Sequence, residues 1–149
     1  MNAYDPNYVH IPTYFLFGVK TIVINDKDKD KILILRRSEK SSRPHGWDFP
    51  GGGVDRSEDP LAATIREIKE ETGLDVSQLQ LLTAYLDNEG LDENKAIILG
   101  YSAHSSSENV KLSWEHESFQ WVTSEELKTI DLPDLHTKIM NAYISKLGQ

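Results

Sequence analysis

Residues 52–74 read GGVDRSEDPLAATIREIKEETGL, and they carry the densest chemistry in the chain. Glu58, Glu67, Glu70 and Glu71 put four carboxylates into one loop and the helix it enters, with Arg66 beside the last three. Carboxylates packed this closely repel one another unless a positive charge sits among them. A hard divalent cation held by oxygen ligands is the simplest such charge. On an α-helix each residue turns by about 100°, so Glu67 and Glu71 share a face one turn apart and Glu70 lies next to them. The bland alternative is a solvated acidic face with Arg66 and Glu70 as an ordinary i,i+4 pair. The flanking residues weigh against it: a glycine-rich loop, Gly51, Gly52 and Gly53, follows Pro50 directly. Consecutive glycines let the backbone approach a ligand or a helix more closely than residues with side chains can. Glu58 falls in the loop entering the helix, within reach of the same cation or of Arg66.

These groups need a helix and a sheet to hold them. Asp59 is placed to cap the helix and Pro60 suits its first turn. Gly73 stands where a left-handed residue ends a helix. Leu61, Ile65 and Ile68 recur at i, i+4 and i+7 and predict one apolar stripe toward the core. Upstream, residues 13–24 are β-branched and aromatic and predict a buried strand. Residues 25–31 (NDKDKDK) make a charged turn, and residues 32–35 a second strand ending in Arg36 and Arg37. Residues 38–46 form a loop, and residues 47–49 a short extended piece. Further strands are expected near residues 79–87, 95–103 and 118–122. A short helix is expected over residues 124–128, capped by Ser124. A C-terminal helix is expected over residues 133–147, with Leu135, Ile139, Tyr143 and Leu147 on its apolar side. Strands in mixed order with helices outside them describe an α/β domain.

The segment resembles the Nudix box. The family's pattern is glycine, five residues, glutamate, seven residues, then Arg-Glu-hydrophobic-x-Glu-Glu-x-Gly-hydrophobic. Gly52, Glu58, Arg66, Glu67, Ile68, Glu70, Glu71, Gly73 and Leu74 fill every defining position. The preceding WDFPGG is also similar to the family's entry to the box. The resemblance implies a Nudix fold, an α/β/α sandwich with a mixed sheet between helices, as a single domain over residues 1–149. It implies that Glu67, Glu70 and Glu71 ligate Mg²⁺ or Mn²⁺, with Glu58 an outer ligand and Gly51 a further metal contact. Arg66 would orient the glutamates. The implied reaction is hydrolysis within the diphosphate of a nucleoside diphosphate derivative. That agrees with what carboxylate-held metal does: it neutralises diphosphate oxygens and lowers the pKa of an attacking water. Phosphoryl transfer needs positioning and charge more than a protein nucleophile.

The general base is sought outside the helix. Residues 114–117 (WEHE) resemble the Glu-His loop of many family members, making Glu115 the first candidate and Glu117 the second. His116 is expected to hydrogen-bond locally. Arg36, Arg37 and Arg43 precede the glycines, and the arginine fork suits phosphate. Adjacent Arg36 and Arg37 point to opposite sides of a strand, so at most one faces a cleft. Arg36, Arg43, Gly51 and Gly52 are the candidate substrate contacts. Tyr14, Phe17, Trp47 and Tyr85 are the aromatics available for stacking a base, although strand aromatics are more often core.

Composition narrows the class. The chain has 149 residues, 38% of them hydrophobic and 27% charged, as expected of one ordinary globular domain. A net charge of −8 gives no field attractive to nucleic acid. The absence of cysteine removes disulfides, thiolate metal sites and the cysteine-dependent isopentenyl diphosphate isomerase chemistry that shares the fold. The N-terminal MNAYDPNYVHIP lacks the pattern of a signal peptide, and residues 14–24 are too short to span a bilayer. A cytoplasmic protein without membrane contact is expected, its partner a nucleotide; a homodimer is left open. No proline falls between Pro60 and Pro133, so the downstream proline of ADP-ribose hydrolases is missing. The motifs of NADH-cleaving and dinucleoside polyphosphate-cleaving members have no clear match either. What is left leans toward a MutT-like nucleoside triphosphate pyrophosphohydrolase or a nucleotide-sugar hydrolase. The rival reading is a non-catalytic nucleotide sensor on the same fold.

Overall fold

In the computed structural model, which describes residues 6–9, 14–87 and 95–148, the first strand is apolar on both faces. This strand, β1 (Leu16–Asn25), sends Ile22 and Ile24 into one core cluster and Val19 and Val23 into others. The second, β2 (Lys31–Arg37), does the same with Ile32 and Ile34 against Leu33 and Leu35. Strands buried on both faces must be covered on both.

The cover comes from three helices. On one face lies α1 (Pro60–Thr72), whose Ala63 and Ile68 pack with Val19, Tyr101, Leu33 and Leu35. On the other lie α2 (Ser124–Leu127) and α3 (Asp134–Leu147), whose Leu127, Ile139 and Tyr143 meet Ile22, Ile24, Ile34 and Phe49. The result is the expected α/β/α sandwich.

The sheet is mixed. Along its whole length β1 runs parallel to β6 (Ala96–Ser105), which pairs antiparallel with β5 (Val76–Asp87). On its other edge β1 meets β2 only at its end, through Ile24↔Ile32, and meets β4 (Gly51–Gly53) at its start. In turn β2 pairs with β7 (His116–Thr123) and, at its far end, with β3 (Trp47–Asp48). The two strands thus diverge from their hairpin, and the short β3–β4 unit fills the wedge between them. That wedge lays the glycines against the C-terminal half of α1, at Glu67 and Glu71.

Four expectations are revised. Residues 51–53 are a strand rather than a loop. Glycine is depleted in strands because it has no side chain to pack, so composition hid the pairing. Leu61 and Ile65 do not face the core: they are 46% and 45% exposed, while Ala63, Thr64, Ile68, Glu71 and Thr72 are buried. The rotation that takes Glu71 inward turns Leu61 and Ile65 out. Leu147, expected on the apolar side of α3, is also exposed, whereas Ile139 and Tyr143 are buried as expected. Finally, α2 is capped by Thr123 and not Ser124: Thr123 Oγ1 accepts from Glu126 N at 3.1 Å and Glu126 Oε2 from Thr123 N at 2.8 Å. This reciprocal box satisfies two helix-end donors. Thr123→Ala is expected to cost about 1 kcal/mol and to lower Tm by about 2–4 °C, read by thermal melts.

The other helix ends follow the sequence. Asp59 Oδ1 accepts from Leu61 N at 2.8 Å, and Gly73, at φ 72°, donates its N–H to Lys69 O at 2.9 Å.

Candidate active site

The glycine wedge meets α1 at two carboxylates. Gly51 sits at φ 151°, and a Cβ there would lie 2.0 Å from Val19 O. Only glycine fits, and its N–H points at Glu71 Oε2, 3.0 Å away. Gly52 is cradled differently. A Cβ on it would stand 2.6 Å from Glu67 Cδ and 2.7 Å from both carboxylate oxygens. The Glu67 head group therefore lies directly on the Gly52 backbone.

Arg66 organises the acidic cluster. Its Nε and Nη2 donate to both oxygens of Glu58 at 2.8 and 2.9 Å, and Nη2 also to Gly53 O at 3.0 Å. Its Nη1 reaches Glu67 Oε1 at 3.0 Å and Glu70 Oε2 at 3.2 Å. The fork hydrogen bond from Arg66, helped by the Asp55 backbone N–H, holds the Glu58 carboxyl down at about 2. With both its oxygens so engaged, Glu58 holds Arg66, and through Arg66 it ties the loop to Glu67 and Glu70.

Glu67, Glu70 and Glu71 differ in exposure. Glu70 is 58% exposed at its side chain, Glu67 14%, and Glu71 is buried. Desolvation raises the Glu67 carboxyl against the pull of Arg66. The Glu71 carboxyl is pushed up to about 8, chiefly by burial, against the opposing pull of Lys20 and the Gly51 N–H. A buried carboxylate with one backbone donor is a costly arrangement for a free anion. It is a favourable one for a cation ligand.

The loop before β7 brings the complement. Glu71, Glu115 and His116 each present a ligand atom within 4.8 Å of the others. Glu115 is half-buried and its carbonyl accepts from Ser38 N at 2.9 Å. His116 is buried, and neither of its ring nitrogens makes a hydrogen bond among the described residues. An oxygen-rich set with an unpartnered imidazole beside it fits a divalent cation. Sequence reasoning had set His116 aside as a local hydrogen-bonding residue; its sole signal was adjacency to Glu115. Glu117 instead turns outward, with Oε1 2.8 Å from His45 Nδ1 and 3.3 Å from Arg36 Nε.

The arginines separate. Arg36 is taken by Glu117 and by the His45 carbonyl, which accepts from Nε at 3.2 Å. Arg37 binds Asp48. Arg43 lines a cavity of about 270 Å³ with Lys20, Gly52, Gly53, Phe17 and Leu135. Of the aromatics, Phe17 is at this cavity. Tyr85 supports α3 instead, donating to Leu135 O at 2.9 Å under Lys138. Trp47 packs against the core, and Tyr14 is exposed.

Asp48 was missed altogether. Its side chain is fully buried and binds Lys20 Nζ at 2.8 Å, Arg37 Nη1 at 3.0 Å and His136 Nε2. His116 Nε2 is 3.5 Å away, too long for a full hydrogen bond. A lysine alone in the apolar β1 and an aspartate between two aromatics were the available signals.

A mixed sheet between helices, with a glycine strand laid against an acidic helix, defines the Nudix architecture. Residues 16–143 match the NUDIX domain family, and the chain belongs to it. A bis(5'-nucleosyl)-tetraphosphatase [asymmetrical] of Mus musculus is 32% identical over 106 residues, 68% of this chain and 69% of that one. An 8-oxo-dGTP diphosphatase of Proteus vulgaris is 43% identical over 60 residues, 40% of this chain and about half (53%) of that one. The crystal structure of a MutT protein from Methanosarcina mazei Go1 superposes with TM-score 0.75 at 26% identity, covering 94% of this chain and 100% of that one. The chain is thus a Nudix hydrolase by family. No helix among the described residues is long and apolar enough to cross a membrane.

Proposed function

We propose that this chain is a Mg²⁺- or Mn²⁺-dependent pyrophosphohydrolase that cleaves the diphosphate linkage of a nucleoside diphosphate derivative, a nucleoside triphosphate or nucleotide sugar foremost. The observation that carries the reading is the buried Glu71 carboxylate, facing Glu115 and His116 and fixed by the Gly51 N–H. Glu67, Glu70 and Glu71 would hold the cation, and Arg66 sets the first two in place. A bound cation would supply neutralisation of diphosphate oxygens and activation of water for attack at phosphorus. Glu115, half-buried beside Glu71, is placed to take a proton from the attacking water. Arg43 and the Gly52–Gly53 backbone line the cavity that receives the substrate, with Phe17 along its apolar wall.

The names of the mouse and Proteus relatives both denote attack on a phosphoric anhydride of a nucleotide, which supports the reaction class. The whole chain would act as one domain in the cytoplasm on a small nucleotide.

The test is hydrolysis of a substrate panel in Mg²⁺ or in EDTA. The panel holds nucleoside triphosphates including oxidised ones, ADP-ribose, nucleotide sugars and dinucleoside polyphosphates. The expected result is release of a nucleotide that stops in EDTA, with one class preferred. Nucleotide binding without turnover on any of them would point instead to a sensor.

A further inference from the structure

Four other segments converge on one buried carboxylate of β3 that the proposed chemistry does not use. Asp48 of β3 meets Lys20 of β1, Arg37 of β2, His116 at the start of β7 and His136 of α3. Burial acts to raise its carboxyl, but the Lys20 ammonium and the hydrogen bond with His136 hold it well below the ordinary range. Two cations flank Asp48, the Lys20 ammonium at 2.8 Å and the Arg37 guanidinium at 3.0 Å. Lys20 is itself only 13% exposed and also donates to Phe49 O at 3.2 Å.

Lys20 is a strand neighbour of the candidate site. It is the register partner of Gly51, and Gly51 N–H is the donor to Glu71. A partly buried ammonium so close to Glu71 attracts that carboxylate and repels any cation Glu71 would bind, because low polarity strengthens both effects. Two acceptors, Asp48 Oδ1 and Phe49 O, hold the ammonium.

We propose that Asp48 is a positioning residue that sequesters the Lys20 ammonium and so keeps Glu71 free for a divalent cation. This rests on the reading of Glu67, Glu70 and Glu71 as the metal-holding set. Lys20 stands opposite Gly51, the donor to Glu71, and its charge already acts on the Glu71 carboxyl; with the Asp48 charge lost, the ammonium competes with the metal for that carboxylate. Outer residues that orient metal ligands typically change affinity 10–100-fold when removed.

The experiment is Mn²⁺ binding, followed by electron paramagnetic resonance and calorimetry. It is run on the wild type, Asp48→Asn, Lys20→Met and the double variant, each with a thermal melt. Asp48→Asn is expected to bind Mn²⁺ about 10–100-fold more weakly. The double variant is expected to regain most of the loss, since the competing ammonium is gone. A role in packing alone would give no such rescue. Lys20→Met by itself is expected to bind Mn²⁺ as tightly as wild type or several-fold tighter. That arm decides the question if Asp48→Asn fails to fold.

Wild-type affinity in Asp48→Asn overturns the proposal. So does an unrescued double variant, and so does a tenfold loss in Lys20→Met. No Mn²⁺ binding by the wild type overturns the metal reading itself, and the wild-type arm alone distinguishes that failure.

Discussion

Glu71→Gln is expected to abolish turnover while making the metal-free protein more stable at alkaline pH. The side chain keeps its shape and an oxygen for the Gly51 N–H, so the fold is undisturbed. What disappears is the buried carboxylate grouped with Glu115 and His116. A lost cation removes several kcal/mol of transition-state stabilisation, or on the order of 10³-fold in kcat/KM. The stability effect has the opposite sign. Without metal, burial raises the Glu71 carboxyl from the ordinary 4.5 to about 8. Across that window the folded chain retains a proton that the unfolded chain has released, so stability falls as pH rises. Glutamine does not titrate. Melts in EDTA are expected to show equal Tm near pH 4.5 and a gap of several degrees in favour of the variant by pH 8 to 9, corresponding to on the order of a few kcal/mol. Mg²⁺ then reverses the order by stabilising only the wild type. A gap that does not change with pH would show that Glu71 is not the group whose ionisation is resisted.

The fold and the acidic set were legible for different reasons. Asp59, Pro60 and Gly73 act through local backbone chemistry, and the helix they bound appears where they put it. The box spacing brought Glu67, Glu70 and Arg66 together because all three lie within one turn of helix. Local rules fail where a residue's partner is remote in sequence. Leu61 and Ile65 read as core by period, but the helix is rolled by Glu71 seeking the Gly51 N–H, a contact across 20 positions. Asp48 is joined to His136 across 88 positions, and neither residue type advertises burial. Gly51–Gly53 read as a loop because nothing in glycine predicts a strand; only the register with Gly18, Val19 and Lys20 reveals one. The separation of Arg36 from Arg43 is likewise tertiary. Glu117 and the left-handed His45, at φ 63°, capture Arg36, whereas Arg43 lines the cavity.

Two adjacent glycines are expected to respond to alanine in opposite ways. Gly51→Ala meets both a φ of 151° and a Cβ position 2.0 Å from the Val19 carbonyl. Backbone cannot yield cheaply there, so a loss of more than about 3 kcal/mol and poor folding are expected. Gly52 has no such conformational demand. The atoms nearest its added methyl are those of the Glu67 carboxylate, at 2.6 to 2.7 Å. A carboxylate at the end of a flexible side chain can swing away, so Gly52→Ala is expected to melt within a few degrees of wild type. The swing takes Glu67 off the backbone and strains its bond to Arg66 Nη1, which stands at 3.0 Å. Displacing a metal-holding or orienting group by about 1 Å costs on the order of 10²-fold in rate. Steady-state kinetics on Gly52→Ala, with its Mn²⁺ affinity, therefore separate geometry from stability. A fall of about 10²-fold in kcat/KM with an unchanged melt places Glu67 among the groups that hold the cation, because its carboxylate is what the added methyl meets first. Wild-type kinetics would show that the reaction does not need Glu67 where Gly52 lets it lie, and the holding set would contract to Glu70, Glu71 and the Glu115 loop.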